Sequence, residues 1–443
     1  MLYYHVALVL TKGKGKMDIY LAVCLLLMAA TYIAVPEGRY KKTYFKMVFL
    51  AGLLRIILVF WLYRNGTDTF GTDGLLYHQE GIKIANMLAK GIPFYQVKYS
   101  YTWYTAFIGF VYHITGVNRY VVSYINIIIT LYAAIMLLRM ALNHGYSFGN
   151  AAFISLCFLY FPNLILWTAD SRKEALLIFL SIACWYCFQH FLRDVENKDR
   201  RIILNIVRMA VICFFIWLCT LVRIYMFIPL GAGIILSLIL QYKKNRSALC
   251  LIFIFSVLAS SIVMLFVTVN PLTQDYHAVS FPQEPAGSIT SELNMKLTTL
   301  KAIASSRNIV LSIINYLILP YPGLIDIADI RGNYSMELIV SVDMIGWYFC
   351  LIMMASGIYY SLKKQNCLFL GLLAYTCAYV VINAMVVENV SDTIYRYRSV
   401  IVGTSLLFIN TDVLKKLLSR FWNITGSKPG IIKAKTVSFS IKN

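Results

Sequence analysis

Charge is scarce in this chain. Of its 443 residues only 14% are charged and only 20 are acidic, while 60% are hydrophobic. Soluble globular proteins run nearer to about 45–50% apolar and about 25% charged. A water-soluble body of this length cannot hide so much apolar side chain, and the mean hydropathy of +0.69 agrees. Disorder, collagen, coiled coil and a cytosolic enzyme are excluded. Cysteine is missing from the polar loops: all ten Cys fall in apolar runs, so no disulfide framework is indicated. Cys184 and Cys187 have zinc-knuckle spacing but no second pair or His cluster, and they read as small apolar helix residues. No signal peptide is expected either, because the apolar stretch from Tyr3 to Leu10 precedes the Lys12, Lys14 and Lys16 cluster, the reverse of a leader's order.

What the chain has is long apolar runs. A membrane-spanning helix needs about 20 mostly apolar residues. Candidates lie near 18–35, 47–63, 120–140, 150–168, 174–192, 203–222, 224–241, 247–269, 338–362, 367–386 and 399–411. The segment 101–116 is short enough to be re-entrant or tilted, and 308–319 ends at Pro320. The expected fold is an all-α polytopic membrane protein with about eleven to thirteen helices, a single integral membrane domain over 1–443. The 40 Lys and Arg fall in short clusters between runs, as in proteins that orient by the positive-inside rule, and nucleic-acid binding is not indicated. The rule puts the Arg39–Lys46, Arg193–Arg201, Lys243–Arg246 and Lys363–Lys364 connectors and the tail from Lys415 in the cytoplasm. Helix parity then gathers 64–100, 169–173, 270–337 and 387–398 on the outer side, with Lys12, Lys14 and Lys16 as the one violation. Two outer loops, 64–100 and 270–337, are long enough to fold. The first is expected to hold an interfacial helix from Gly74 to Lys90, with Leu75, Ile82, Ala85 and Ala89 on its apolar side, followed by an aromatic belt of Tyr99, Tyr101, Trp103 and Tyr104.

Polar chemistry concentrates on that outer side. Asp73 stands at the start of the interfacial helix, after Gly66–Thr72, which includes the weaker candidate Asp68. Two compatible readings hold for Asp73: an N-cap worth about 1 kcal/mol, or a general base kept ionised by helix N–H groups. Tyr77, His78 and Glu80 follow on the same helix, where an exposed interfacial face is the plainer reading of the last two. A second stretch runs Trp167-Thr-Ala-Asp170-Ser-Arg172-Lys173-Glu174 after Pro162, which bends the incoming helix. Asp170 and Glu174 suit the helix dipole. Arg172 and Lys173 do not, and they read either as headgroup anchors or as part of an anion site at a helix N-terminus. A third stretch, Asp392 to Arg398, carries Arg396 and Arg398 interleaved with Tyr395 and Tyr397, and Arg223 lies next to Tyr225. At least five cations thus gather where the orientation rule depletes them. Arg55 and Arg208 lie within snorkelling reach of the cytoplasmic ends, and Asp343 near the outer end of its span; all three are left unassigned.

The chain resembles the GT-C glycosyltransferases, in their bacterial surface-polysaccharide branch, which use polyprenyl-phosphate-linked sugars. The resemblance lies in the order of Asp73 and Tyr77, the Tyr101–Gly116 segment with Asn118-Arg-Tyr, the run Phe161-Pro162 to Trp167 leading to Arg172-Lys173-Glu174, Leu319-Pro320-Tyr-Pro322, and Tyr395-Arg-Tyr-Arg398. It covers most of 47–411. It implies a multi-pass enzyme in a bacterial plasma membrane with its site outside, no resident cofactor, Asp73 as base, and Arg172, Lys173, Arg396 and Arg398, with Arg223, at the donor phosphate. Tyr77, His78 and Glu80 would be supporting residues. Relatives usually carry an acidic pair where Gly74 follows Asp73 here, which leaves a divalent metal open, and a Pro where Ser399-Val400 stands. The function expected is inverting transfer of a sugar from a polyprenyl-phosphate or -diphosphate donor to a hydroxyl of a glycan, lipid or protein acceptor. A repeat-unit polysaccharide polymerase is the alternative within enzymes, and the Gly71–Tyr77 stretch also resembles that class. A lipid-linked sugar transporter or flippase is the alternative outside them, although the repeated halves and midplane polar residues of transporters are not seen.

Overall fold

The computed structural model describes residues 19–64, 73–97, 103–197, 202–269, 309–322, 334–364, 366–386 and 391–409. The cluster Lys12–Lys16, Asp68 with the rest of 65–72, Tyr99, Tyr101, most of the 270–337 loop and the tail from Lys415 lie outside the described residues. In chain order the helices are α1 (Ile19–Ala34), α2 (Lys41–Arg64), α3 (Asp73–Ala89), α4 (Trp103–Thr115), α5 (Arg119–Asn143), α6 (Phe148–Tyr160), α7 (Pro162–Ala169), α8 (Glu174–Glu196), α9 (Ile202–Val222), α10 (Phe227–Asn245), α11 (Ala248–Val269), α12 (Ile309–Ile318), α13 (Tyr334–Lys364), α14 (Cys367–Val386) and α15 (Ser391–Ser405). Among the described residues there is no β-strand.

Seven helices are long and apolar enough to cross a membrane, and the bent pair α6–α7 makes an eighth; shorter apolar helices lie at Ile19–Ala34, at Ile309–Ile318 and in the Ala248–Leu258 stretch of α11. The protein is an integral, multi-pass, all-α membrane protein. α5 and α8 are the most enclosed spans. α2, α9 and α13 present Ile57, Ile203, Phe214 and Ile352 outward, as a lipid-facing surface should. α4, at 13 residues, is too short to cross, in keeping with the short segment expected there. All ten thiols are free.

Pro162 does break its helix. α6 and α7 meet at 56°, because Pro offers no N–H and its ring clashes with the preceding turn. The groups freed at the break find partners from other spans. Asn163 N–H would ordinarily bond the Leu159 carbonyl; instead it donates to Asp343 Oδ1 at 2.7 Å. The Leu159 carbonyl accepts from Arg55 Nη2 at 2.9 Å, and Arg55 Nε donates to Thr168 Oγ1 at 3.0 Å. Arg55 therefore does not snorkel: it is 0% exposed and, with Asp343, holds open a kink that would otherwise leave backbone groups unpaired inside the membrane. Arg208 pairs with Asp194. The kink aims α7 at the loop Asp170–Lys173, which the site uses.

The expected helix is present as α3, and the face it packs inward overlaps only in part with the apolar row Leu75, Ile82, Ala85 and Ala89. Tyr77, Gly81, Ile84 and Ala85 are buried, while Leu75 and Ala89 are exposed. The cause is α4, which lies so close that a Cβ on Gly81 or Gly109 would collide with Ile108 or Ile84. Tyr104 is likewise no belt residue: it is 0% exposed and points inward to the Asp170–Lys173 loop.

Candidate functional site

Four segments far apart in the chain converge at one end of the bundle. Asp73, the first residue of α3, places its Oδ2 against Arg396 Nη1 of α15. The same guanidinium donates through Nε to Glu174 Oε1 at 2.6 Å, and that oxygen also takes Arg223 Nη2 at 2.9 Å. Arg223 lies 3.7 Å over the Tyr397 ring and donates to Tyr225, whose hydroxyl donates to Asn383 Oδ1 at 2.9 Å. One chain of charge-assisted bonds thus runs Asp73–Arg396–Glu174–Arg223, and Glu174 Oε2 has no hydrogen-bond partner among the described residues.

The loop between α7 and α8 sits beside this chain and is built rigidly. Asn126 Nδ2 donates to the carbonyls of Asp170 and Arg172 at 2.6 and 2.9 Å, and the Tyr104 hydroxyl reaches the Arg172 carbonyl at 2.9 Å. Asp170 is fully enveloped: its carboxylate accepts from Ser171 N (2.6 Å), Tyr63 OH (2.8 Å), Arg119 Nη2 (3.2 Å) and Arg172 Nε (3.3 Å). Burial works to raise its pKa, but Arg172 and Arg119 outweigh it, and the carboxyl lies below its usual value. Arg172 also lies 4.9 Å over the Trp167 ring.

Asp73 differs in exposure, its side chain being 40% accessible. Burial again pushes upward and Arg396 outweighs it, so the carboxylate is ionised at neutral pH. Lys173, its ammonium 5.8 Å from the Tyr77 ring centre, has no ion-pair partner among the described residues. Burial, with Arg223 and Arg396 close by, brings its pKa down to about 8. Five cations (Arg119, Arg172, Lys173, Arg223, Arg396) share this end with three carboxylates (Asp73, Asp170, Glu174). A surplus of positive charge held by fixed side chains, with one cation unpaired, is suited to an anion. Among the described residues no three His, Cys, Asp or Glu side chains converge as metal ligands.

The remaining candidates divide. Tyr77 is buried edge-on to Tyr104, next to Asp73 and Arg396, and burial raises its pKa. His78 turns away to Tyr112 (2.7 Å), and burial with Arg119 holds its imidazole down at about 4, hence neutral. Glu80 pairs with Lys83 along its own helix. Arg398 corrects the expectation of a shared pair. Residues i and i+2 of a helix point about 200° apart, so Arg398 faces away from Arg396. It bonds the Tyr316 and Leu319 carbonyls and Met344 Sδ, over Trp347, and so fastens the end of α12 to α15. Glu174, which bridges two arginines, is the residue that reasoning from local sequence missed.

No family model matches the chain, and no curated protein does. Among solved structures it is similar to the archaeal oligosaccharyltransferase AglB from Archaeoglobus fulgidus, in complex with an inhibitory peptide and a dolichol-phosphate, and to the apo form of the oligosaccharyltransferase from the same organism. Each has a TM-score of 0.48 and 13% identity over 89% of this chain and 53% of that one. The chain thus spans about half the length of these structures, and the functional reading rests on the residues.

Proposed function

We propose that this protein is a membrane glycosyltransferase of GT-C type, which moves a sugar from a polyprenyl-phosphate or -diphosphate donor to an acceptor hydroxyl at the extracytoplasmic surface, in the assembly of a surface glycan or glycoconjugate. The observation that carries the reading is the meeting of a half-exposed carboxylate, Asp73, with Arg396 and a cationic surplus drawn from four distant segments.

In this mechanism the donor phosphate takes Arg396 and Lys173 and displaces Asp73 from the guanidinium. Asp73 then accepts the proton of the acceptor hydroxyl as its oxygen attacks the anomeric carbon. The bond from that carbon to the phosphate oxygen breaks, and the lipid phosphate leaves with the electron pair. One displacement inverts the anomeric centre. A positioned base contributes about 10²–10⁴-fold, and fixed cations at the departing phosphate do the electrostatic work. Glu174 and Arg223 keep Arg396 in place. Arg119, Arg172 and Asp170 keep the loop that carries Lys173.

The test is purified protein in lipid nanodiscs with a panel of polyprenyl-phosphate sugars and simple glycan acceptors, measuring free lipid phosphate. Release from at least one donor, coupled to glycosylated acceptor with inverted anomeric configuration, is the expected result. Donor consumption with a retained anomer would overturn the single displacement, and translocation of intact donor across the bilayer would overturn the enzyme reading.

A further inference from the structure

The opposite end of the bundle holds a second polar site. α8 runs 23 residues from Glu174 to Glu196, or about 34 Å at 1.5 Å per residue. There a cavity of about 630 Å³ opens between the ends of α5, α8, α10 and α13 and the start of α14, a volume within the usual range of small-molecule sites. It lies on the face that carries the basic connectors. Part of its charge has a plain explanation: cations in the last turns of helices complement the dipole and follow the orientation rule.

Three observations go further. Lys244 is neutralised by Glu196, but Arg193 and Lys364 have no carboxylate partner among the described residues; Arg193 donates to Asn143 Oδ1 at 3.1 Å, and Lys364 lies 4.6 Å from the Tyr360 ring centre. The start of α14 lines the same cavity; the first backbone N–H groups of a helix lack intrahelical acceptors, and here Asn366 Oδ1 takes that of Phe369 at 3.1 Å. Gln241, 2% exposed, lines the cavity with an Nε2 that has no hydrogen-bond partner among the described residues. A buried, unmatched donor costs about 1–3 kcal/mol. Two unpaired cations, a helix start and a spare amide donor share one chemistry.

We propose that this cavity binds a phosphate-bearing anion, with Arg193 and Lys364 at the phosphate and the Gln241 amide donating to its polar oxygens. The phosphate belongs either to a soluble phosphorylated molecule or to the headgroup of an anionic lipid. The site is independent of the glycosyl-transfer reading, because its residues are remote from Asp73 and its test reads binding alone.

The experiment compares wild type with Arg193→Gln/Lys364→Gln, two exposed positions, and with Gln241→Leu. One arm titrates inorganic pyrophosphate against protein in phosphatidylcholine nanodiscs, followed by thermal midpoint. The other measures phosphatidylglycerol retained by the protein from mixed nanodiscs, by native mass spectrometry. A soluble ligand is indicated if pyrophosphate stabilises wild type and binds the double variant about tenfold or more weakly, on the scale of one charge-assisted hydrogen bond. A lipid headgroup is indicated if phosphatidylglycerol is retained in preference to phosphatidylcholine and this preference is lost in the double variant. Equal behaviour of wild type and double variant in both arms overturns the proposal. Gln241→Leu removes the buried donor without altering surface charge; if it binds as wild type does, attraction is mere surface charge and the assigned site falls.

Discussion

Two carboxylates at the same end of the bundle, Asp170 and Asp73, meet arginine in opposite ways. Asp170 has a side chain that is 0% exposed and accepts from a backbone N–H, a tyrosine hydroxyl and two guanidinium groups. It has no capacity left for a substrate, and its work is to set the loop carrying Arg172 and Lys173. Asp73 is 40% exposed and held by a single arginine that Glu174 also holds. An incoming phosphate can compete for that arginine, and the carboxylate is then available to an acceptor. Identical residue types therefore serve as scaffold and as reactive group according to how many donors surround them.

The largest effect should come from the scaffold side. Asp170→Asn takes a fully buried counter-charge away from Arg172 and from the partly exposed Arg119, and breaking a buried pair in this way costs about 3–5 kcal/mol; a thermal midpoint near that of wild type would break the contrast. The sign with pH agrees. Asp170 is depressed in the folded state, so its contribution is present above the unfolded carboxyl pKa and is lost as pH falls through the lower folded value. Next comes Arg396→Lys. A lysine cannot present Nε and Nη1 to two carboxylates at once, so the donor KM should rise about tenfold, roughly one charge-assisted bond. An unchanged KM in steady-state kinetics would make Arg396 an anchor.

Lys173 sharpens the comparison from the cationic side. Its folded pKa of about 8 lies below the usual lysine value. In the free protein the ammonium therefore opposes folding at neutral pH. That opposition disappears as pH rises from about 8 toward the usual lysine range, where the folded state has released the proton and the unfolded state has not. The thermal midpoint of ligand-free protein should climb over that window while donor affinity falls, and Lys173→Met should abolish both trends. The smallest effect is expected at His78, neutral and turned to Tyr112: His78→Phe should change stability by no more than about 1 kcal/mol and leave turnover within about threefold, the cost of one neutral hydrogen bond. A large loss of turnover would bring His78 back into the site.

Much of this was legible in the residues. Apolar run length fixed the membrane class, Pro162 marked the kink, and Asp73, Lys173 and Arg396 were placed on one side by charge and helix parity. The misses share one cause: local sequence cannot show which distant partner a side chain finds. Glu174 satisfied a helix-dipole reading, yet its arginines lie 49 and 222 residues away. Arg55 looked like a snorkelling residue because the freed carbonyl it serves, that of Leu159, belongs to another helix. Leu75 belongs to an apolar row that the packed face shares only in part, because apolar periodicity does not distinguish a neighbouring helix from lipid. Arg396 and Arg398 looked like a pair in the linear text, but helical geometry sends them to opposite sides.

The account turns on Asp73 being the reactive member of this arrangement. The most direct measurement is the rate of lipid-phosphate release by Asp73→Asn relative to wild type, at matched donor saturation and with both proteins checked for thermal midpoint. The account predicts a fall of about a hundredfold or more, the value of a positioned base, with the midpoint essentially unmoved. Release at the wild-type rate from a well-folded Asp73→Asn protein would contradict it.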